Sequence, residues 1–478
     1  MTTFKEYETY DGLGLAQLIR TKQVSQTEVL TAAIERVDRH NDTLNAVVHK
    51  MYETARQAIR EGLPAGPFTG VPYLLKDLYL AYAGAPLTNG SRIFADFVPD
   101  YDSTLVERYR AAGLVILGKT NTPEFGLCAA TEPALHGPTL NPWNPDRSPG
   151  GSSGGAAAAV AARMLPMAHA TDGGGSIRIP AANCGLFGLK PTRARVPMGP
   201  NVGEAFSGMS VGHCVSRTVR DSAALLDATR GPASGDPYWA PPPARPFLEE
   251  VGADSGRLRI AFTTKTFDGT PLHPECVRAI EVAAGLCADL GHEVEEATPV
   301  VDNRATWRLW RTLAGVHIWN MLALRATALG RKPRPEDVEP VTWTWGQEGR
   351  ECTGTRFLSA IQTMHRIGRK LADFFERYDL LLSTTMADPP VRLGVVDMSN
   401  PDLDDYCERH LVALAPFTPI FNEAGAPAMS IPLHWTDDGL PVGVHFGARF
   451  GDEATLFRMA AQLEEARPWA ERRPPILI

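Results

Sequence analysis

The chain lacks an excess of basic charge. Its 478 residues include 47 lysines and arginines against 55 aspartates and glutamates, which gives a net charge of −8. Nucleic acids and anionic membrane surfaces are bound through basic patches. Long apolar runs are lacking too, because the longest, AAAAVAA at 156–162, is far shorter than the roughly 20 residues that cross a bilayer. The sequence therefore predicts neither a nucleic-acid nor a membrane partner.

Paired cysteine motifs and metal-binding motifs are also lacking. The seven cysteines are odd in number and widely spaced, without a CxxC, which predicts a reducing compartment and buried thiols. Neither HExxH nor a cluster of cysteine and histidine occurs, so we expect no metal and no other cofactor. The first ten residues are polar and contain no apolar signal segment. The expected location is therefore cytoplasmic.

What the chain does have is the apolar pattern of an α/β protein. Residues 11–61 have the periodicity of two helices, and Ser25 with Glu28 forms a capping box at the start of one of them. From residue 71 onwards, short apolar strands alternate with helices. This alternation predicts an α/β domain with helices on both faces of a sheet. Three late apolar segments should return to the same sheet, and they lie at 379–384, 428–431 and 442–446.

Composition divides the single expected domain, residues 1–478, into regions. They are N-terminal helices (1–62), a core with the chemical motifs (63–230), a proline-rich loop (231–246) and a helical region that is a candidate for the substrate pocket (300–375). The last region holds five of the nine tryptophans. A packed helical layer and an aromatic pocket wall both fit this concentration, and the packed layer is the favoured interpretation.

Two short motifs match known patterns but not their chemistry. GLVILGKT at 113–120 has the P-loop spacing, yet its middle residues are Leu, Val, Ile and Leu, which predict a buried strand instead of a phosphate-binding loop. GSSGG at 151–155 matches the GxSxG of α/β-hydrolases, but an Asn- and Pro-rich segment precedes it where that fold needs a strand. Neither motif therefore predicts a function.

A run of three glycines before a serine carries the strongest chemical signal. Gly173, Gly174 and Gly175 allow successive backbone N–H groups to face one point, which is the geometry of an oxyanion hole, and Ser176 follows them. A nucleophilic serine needs a base, and no histidine stands in a triad context. Lys76, at the end of an apolar strand, fits if burial keeps it neutral. The residues alone leave open an ordinary loop and a lysine that reaches water.

Three motifs in this order resemble the amidase signature family. They are VPYLLKD at 71–77, PGGSSGG at 149–155, and TDGGGSIRIP at 171–180 followed by GLKPT at 188–192. The spacing is similar as well, with 76 positions from Lys76 to Ser152 and 24 from Ser152 to Ser176. The resemblance covers most of the chain and is weakest at about 230–410. One departure is Ala194, where the family usually has glycine, which predicts an altered backbone there.

The resemblance implies a fold and a catalytic triad. The fold is the amidase signature fold of the α/β class, a central mixed twisted sheet with helices on both faces. In the implied Ser–cisSer–Lys triad, Ser176 attacks the carbonyl, and Ser152, after a cis peptide bond, passes the proton to a neutral Lys76. The backbone N–H groups that would hold the oxyanion are those of Gly173, Gly174, Gly175 and Ser176.

The resemblance also implies supporting residues and a substrate class. The residues at supporting family positions are Ser153, Asp172 and Arg178. Details of the motifs are most similar to a bacterial branch that includes 6-aminohexanoate cyclic dimer hydrolase, and aryl acylamidases and urethanases resemble it too. The expected substrate is therefore a small, largely apolar amide, linear or cyclic, or an aryl carbamate. The residues that would border the acyl pocket are Gly126, Leu127 and Cys128.

Two other functions stay open at this point. A glutamyl-tRNA amidotransferase A-like subunit would hydrolyse glutamine and depend on partner subunits. A noncatalytic scaffold would keep the fold, although it has no need of Lys76, Ser152 and Ser176 together. A homodimer is a further expectation that the sequence does not test.

Overall fold

A computed structural model describes residues 4–477 of the chain. The strands are β1 (Val47–Lys50), β2 (Pro72–Lys76), β3 (Val115–Thr120), β4 (Met167–Asp172), β5 (Phe187–Lys190), β6 (Val211–Ser216), β7 (Arg259–Phe262), β8 (Glu293–Glu296), β9 (Leu380–Thr384), β10 (Ala428–Trp435) and β11 (Pro441–Ala448). The helices are α1 (Gly12–Arg20), α2 (Gln26–Leu44), α3 (Tyr52–Glu61), α4 (Thr104–Ala111), α5 (Gly154–Ala161), α6 (Arg178–Cys184), α7 (Val219–Thr229), α8 (Pro274–Asp289), α9 (Asn303–Ala328), α10 (Pro340–Arg350), α11 (Gly354–Phe375), α12 (Leu403–Tyr406), α13 (Pro419–Glu423) and α14 (Glu453–Ala466).

The strands form one large and one small sheet. The large sheet has eight strands in the order β4-β6-β5-β10-β11-β9-β7-β8. Its pairs are antiparallel from β4 to β9 and parallel between β9, β7 and β8. The small sheet has the order β1-β3-β2. A mixed sheet flanked by helices confirms the predicted α/β class, and β9, β10 and β11 confirm that the late segments return to the large sheet.

The N-terminal region contains more than the two predicted helices. Three helices, α1 to α3, are interrupted by β1, which pairs antiparallel with β3. Asn45 follows α2 with a left-handed backbone, φ 48°, and turns the chain into this short strand. The capping box is confirmed, because the Ser25 hydroxyl accepts from the Glu28 N–H and the Glu28 carboxylate accepts from the Ser25 N–H. Pairing with a distant strand therefore overrode the helical pattern.

The segments around the two rejected motifs have the predicted structure. Residues 115–120 form β3, which is buried along its whole length, as expected for a strand and not for a phosphate loop. The helix after GSSGG, α5, is preceded by a loop and not by a strand. Residues 231–246 contain neither helix nor strand, in agreement with the predicted proline-rich loop.

Helix α5, which begins just after Ser152, packs between the two sheets. Its sequence is GGAAAAVA, and all eight residues are buried. Because no side chain is larger than valine, the helix packs closely against β4 and β6 of the large sheet and against β2 of the small one. The sheets also meet directly, since the Lys76 N–H at the end of β2 donates to His169 Nδ1 on β4 at 3.2 Å. The ends of β2, β4 and the start of α5 therefore converge.

The backbone at Ala194 keeps the conformation that glycine would adopt. Its φ is 59°, in the left-handed region. A residue with a Cβ occupies that region at a cost of about 1 kcal/mol relative to glycine. The alanine therefore occupies a backbone conformation that favours glycine, and the altered backbone relative to the family stays a prediction.

Neither disulfides nor membrane spans are found in residues 4–477. The seven cysteines are free thiols, and five of them are buried. None of the helices combines the length and apolar character needed to cross a bilayer.

Candidate active site

Lys76 is a buried amine in contact with a serine. It ends β2 and is fully buried. Its Nζ lies 2.7 Å from Ser152 Oγ and 2.9 Å from Thr171 Oγ1. Burial lowers the pKa of Lys76 well below its ordinary value, against the opposite effect of the Asp172 carboxylate. The amine is therefore suited to be neutral and to accept a proton from Ser152.

The small residues around Ser152 are required by close backbone packing. The peptide bond between Gly151 and Ser152 is cis, as the resemblance implied. A Cβ on Gly151 would lie 2.4 Å from the carbonyl oxygens of Cys128 and Ala130. A Cβ on Gly154 would lie 2.3 Å from Thr131 Oγ1. No larger residue fits at 151 or 154, so the glycine-serine run serves to bring Ser152 against the 128–131 loop.

Ser176 and Ser152 line the same cavity. Ser176 lies just after β4, is half-buried, and borders about 750 Å³ of empty space together with Ser152 and Thr171. The glycines Gly173 and Gly174 line this cavity as well. The structure thus brings the three predicted triad positions to one place, with Lys76 behind Ser152.

Asp172 and Arg178 form a buried ion pair that ties the glycine run together. Asp172 accepts from the guanidinium of Arg178 at 2.9 Å and from the N–H groups of Gly175 at 2.8 Å and Ile177 at 3.2 Å. Burial would raise the pKa of Asp172, but Arg178 lowers it well below the usual range. The carboxylate is therefore ionised. Its bond to Gly175 is a correction to the prediction, because that N–H is already engaged and does not face an oxyanion.

The carbonyls of residues 172–174 are held by side chains that are distant in sequence, and that of Gly175 is held by a nearby backbone N–H. Their donors are Asn422 Nδ2 to Asp172 O (3.0 Å), Trp310 Nε1 to Gly173 O (3.2 Å), Thr418 Oγ1 to Gly174 O (2.6 Å) and Ile179 N to Gly175 O (2.7 Å). Within residues 4–477, no acceptor takes the N–H of Gly173, Gly174 or Ser176. Sequence reasoning did not predict the contacts of Trp310, Thr418 and Asn422 with this run, and no local motif marks them, since they lie more than 130 positions away.

Ser153 and His169 contact residues of the site without lining the cavity. The Ser153 hydroxyl bonds to both backbone groups of Thr171 at 3.3 Å, so it joins α5 to β4 and does not line the cavity. His169 is fully buried, and burial lowers its pKa well below the ordinary value. Its Nδ1 already accepts the Lys76 N–H. The histidine is therefore a packed core residue.

The predicted pocket residues Gly126, Leu127 and Cys128 all line the cavity. Burial raises the pKa of the Cys128 thiol to about 12, so it stays protonated and unreactive. Trp307 and Trp310 also line the cavity, whereas Trp345 is buried in the helical layer behind it. The tryptophan-rich region is therefore both a packed layer and a pocket wall.

Replacing Gly126 by alanine should lower kcat about 10- to 100-fold, because it would displace Ser152, the serine in contact with Lys76. Gly126 has a φ of 71°, and its Cβ would lie 2.7 Å from Leu78 Cδ2 and 3.0 Å from Ser152 Oγ. The matched control is Gly137→Ala, with a φ of 77° and no atom nearer than 3.8 Å. It introduces the same backbone strain without touching Ser152. Steady-state kinetics of both variants checks the prediction, which is wrong if they lose equal activity.

No group of three or more His, Cys, Asp and Glu side chains in the described part of the chain could hold a metal ion.

Comparisons with known proteins show the family of the chain. The family model described as amidase matches residues 28–457. The chain is 39% identical over 479 residues to the 6-aminohexanoate-cyclic-dimer hydrolase of Paenarthrobacter ureafaciens, covering 98% of this chain and 97% of that protein. A solved structure of 6-aminohexanoate cyclic dimer hydrolase complexed with substrate matches with a TM-score of 0.95 and 37% identity over 99% of this chain and 100% of that one. A bacterial aryl acylamidase of the amidase signature family matches with a TM-score of 0.86 and 29% identity over 97% of each chain.

Proposed function

The chain belongs to the amidase family of amide-hydrolysing enzymes, and we propose that it cleaves its substrate through Ser176, Ser152 and Lys76. The observation that carries this proposal is the 2.7 Å contact between buried Lys76 Nζ and Ser152 Oγ, beside a cavity that Ser176 also lines. A base of lowered pKa, an intermediate hydroxyl and a second hydroxyl at the substrate make a proton relay.

Acylation begins with attack of Ser176 Oγ on the substrate carbonyl carbon. The Ser176 proton passes to Ser152 Oγ as the Ser152 proton passes to Lys76 Nζ. The tetrahedral intermediate then expels the amine, which receives a proton from Ser152 while Lys76 returns one to Ser152. The products of this half-reaction are a neutral amine and an ester of Ser176.

The N–H groups of Gly173, Gly174 and Ser176 are the donors we assign to the oxyanion. They are left without an acceptor in the described chain, and two of the three residues before the nucleophile line the cavity. Loss of one such donor typically costs about 3 kcal/mol of transition-state stabilisation. The ionised Asp172 fixes the glycine loop by accepting from the Gly175 N–H and the Arg178 guanidinium, and it does not line the cavity.

Deacylation reverses the relay with water in place of the amine. Water attacks the ester carbonyl as its proton passes through Ser152 to Lys76, and the same donors hold the second oxyanion. Collapse of this intermediate releases the carboxylic acid and returns the proton to Ser176. Each group ends in its starting protonation state, as a turnover requires.

The lining of the cavity favours neutral, largely apolar substrates. Among the lining residues that the structure describes, none is Asp, Glu, Lys or Arg. The titratable imidazole is His317, whose pKa is lowered by burial, so it is neutral near pH 7. The remaining walls include Trp307, Trp310 and Phe206. An unpaired charge buried here would lose several kcal/mol of hydration without compensation.

This argument favours the substrate class of one relative. A cyclic dimer of 6-aminohexanoate has both ends closed into amide bonds, so it carries no ammonium and no carboxylate. Neutral anilides and aryl carbamates present the same carbonyl and no charge, and they belong to the proposed range. Glutamine carries both charges, so a glutaminase function is disfavoured. The buried Lys76–Ser152 pair disfavours a noncatalytic scaffold, which gains nothing from a desolvated amine.

A test compares substrates that differ in charge, using the purified chain without added subunits. The cyclic dimer of 6-aminohexanoate, a neutral anilide and an aryl carbamate should be hydrolysed. The linear dimer has the same methylene chain but two charged ends, and it serves as the matched control. We expect kcat/KM for the cyclic dimer to exceed that for the linear dimer and for glutamine by at least about 100-fold.

Two outcomes would contradict the proposal. Hydrolysis of glutamine in preference to all neutral amides would favour the amidotransferase-like alternative. Failure on the cyclic amide, the anilide and the carbamate together would exclude the proposed substrate class.

A further inference from the structure

We propose that Trp310 is a positioning residue that aims the oxyanion-binding N–H of Gly174 by holding the carbonyl of Gly173. This inference rests on the proposed function, because it concerns the same oxyanion hole. Trp310 lies in the second turn of α9, 134 positions after the nucleophile, and its indole N–H donates to Gly173 O at 3.2 Å.

The geometry of the peptide bond links that carbonyl to the N–H. The Gly173–Gly174 peptide is trans, so its C=O and N–H point in opposite directions within one rigid plane. A donor that fixes the carbonyl therefore fixes the direction of the Gly174 N–H. If the plane rotated by half a turn, the carbonyl oxygen would point where the N–H had been and would repel an oxyanion.

This peptide plane needs an external hold more than an ordinary one does. It lies between two glycines, which allow rotations that a Cβ would forbid. The planes on either side are held by other contacts, through Asn422 and Thr418. Within residues 4–477, the indole of Trp310 is the donor to Gly173 O. Without the indole bond, the Gly173–Gly174 peptide plane would be free to rotate, while the peptide planes on either side stay fixed.

The indole itself is rigidly placed. Its ring packs edge-on against Phe206 and Trp307, with centroids 5.3 and 5.7 Å away, and against Trp345 at 5.4 Å. A buried aromatic ring fixed on three sides has little rotational freedom. The N–H is therefore presented to Gly173 at nearly constant geometry, as a preorganised site requires.

Trp310 also lines the cavity, so one side chain contacts both the acyl group and the hole. An apolar acyl group that packs on the indole would stabilise the ring in the position from which its N–H donates to Gly173 O. The binding energy of that group would then appear in the transition state, and thus in kcat as well as in KM. Substrate recognition and oxyanion stabilisation are coupled through a single residue.

The test compares Trp310→Phe with Trp307→Phe. Both tryptophans lie on α9, one turn apart, and both line the cavity. In the part of the chain that the structure describes, the indole N–H of Trp307 is buried without a hydrogen-bond partner. Each variant removes an indole N–H and some ring area, but only Trp310→Phe removes the bond to Gly173.

We expect Trp310→Phe to lower kcat by about 10- to 100-fold with KM within about threefold, which is part of the effect of losing a donor outright. Trp307→Phe also trims the cavity wall but removes no bond to Gly173, so its kcat should fall less than that of Trp310→Phe. A trifluoromethyl ketone, which forms an anionic tetrahedral adduct with Ser176, should lose affinity for Trp310→Phe by the same factor. A neutral amide inhibitor, which forms no adduct, should keep its affinity.

If Trp310→Phe does not fold, benzothienylalanine at position 310 keeps the shape of the indole and replaces only its N–H. Equal kcat values for the 310 and 307 variants, or equal losses for the ketone and the amide inhibitor, would overturn the inference. Labelling by a fluorophosphonate distinguishes a failure of the proposed function from a failure of the role assigned to Trp310. Wild type that is not labelled at Ser176 overturns the proposed function, whereas a labelled wild type with an unaffected 310 variant overturns only the role of Trp310.

Discussion

Ser176→Ala should reduce kcat for a neutral amide by about 10⁶-fold, the scale seen when a nucleophile that acts with its base is removed. Without the Ser176 hydroxyl, the relay from Ser152 to Lys76 has no nucleophile to activate and no acyl-enzyme can form. Hydrolysis of an anilide, followed by absorbance over long incubations, measures the loss. Covalent labelling by a fluorophosphonate should disappear in parallel.

The control for this variant is Ser153→Ala, which removes a hydroxyl from the same glycine-rich region. The Ser153 hydroxyl bonds to the backbone of Thr171 and does not line the cavity. We expect its kcat to stay within about tenfold of the wild type. Hydrolysis that survives in Ser176→Ala would assign the nucleophile to another residue and would contradict the proposed mechanism.

Lys76→Met should lower kcat by about 10³- to 10⁴-fold and at the same time raise the thermal stability. The loss follows from removal of the base. The gain follows from the lowered pKa of the buried amine. At neutral pH the unfolded chain binds a proton at Lys76, and the folded chain does not. Folding therefore costs about 1.4 kcal/mol for each unit by which the unfolded pKa of Lys76 exceeds the working pH. Methionine avoids this cost. Kinetics and differential scanning calorimetry check the two effects.

A second buried lysine serves as the control. Burial lowers the pKa of Lys190 to about 7, and its Nζ donates to the carbonyl of Pro191 at 2.8 Å, away from the cavity. Lys190→Met should also stabilise the protein but should leave kcat largely unchanged. If Lys190→Met loses as much activity as Lys76→Met, the lysines act on structure and not on chemistry.

The lowered pKa of Lys76 sets the direction in which kcat and stability change with pH. Activity requires neutral Lys76, so kcat of the wild type should fall as the pH drops through the lowered pKa of this amine. The contribution of Lys76 to stability should rise with pH up to its unfolded pKa of about 10.4, because the unfolded chain binds more protons at this residue over that window. The pKa of Asp172 is lowered as well, because Arg178 stabilises its ionised form. A neutral base and a fixed anion therefore lie within one small site.

Much of the local structure follows from the sequence. The capping box of Ser25 and Glu28, the buried strand at 115–120 and the loop at 231–246 depend on residues that are close together in the chain. The strand β1 escaped prediction because its partner, β3, lies about 70 positions away. A short run of valines has no strand identity until an edge is available to pair with it.

For the active site, the sequence by itself determined which chemical groups exist and where flexible backbone is available. The glycine run before Ser176 and the small residues around Ser152 could be recognised because backbone packing and special φ values restrict these positions to glycine. The approach of Lys76 to Ser152 came from family resemblance, since no local pattern relates residues 76 positions apart.

Only the tertiary structure decided in which direction the backbone N–H groups of the glycine run point. The Gly175 N–H turned toward Asp172 and not toward the cavity. The carbonyls of the three preceding residues are held by Asn422, Trp310 and Thr418, which lie in or next to helices more than 130 positions later. The sequence supplies N–H groups, but a glycine backbone can point them in many directions. Their direction is chosen by hydrogen bonds that exist only when distant helices pack against the loop.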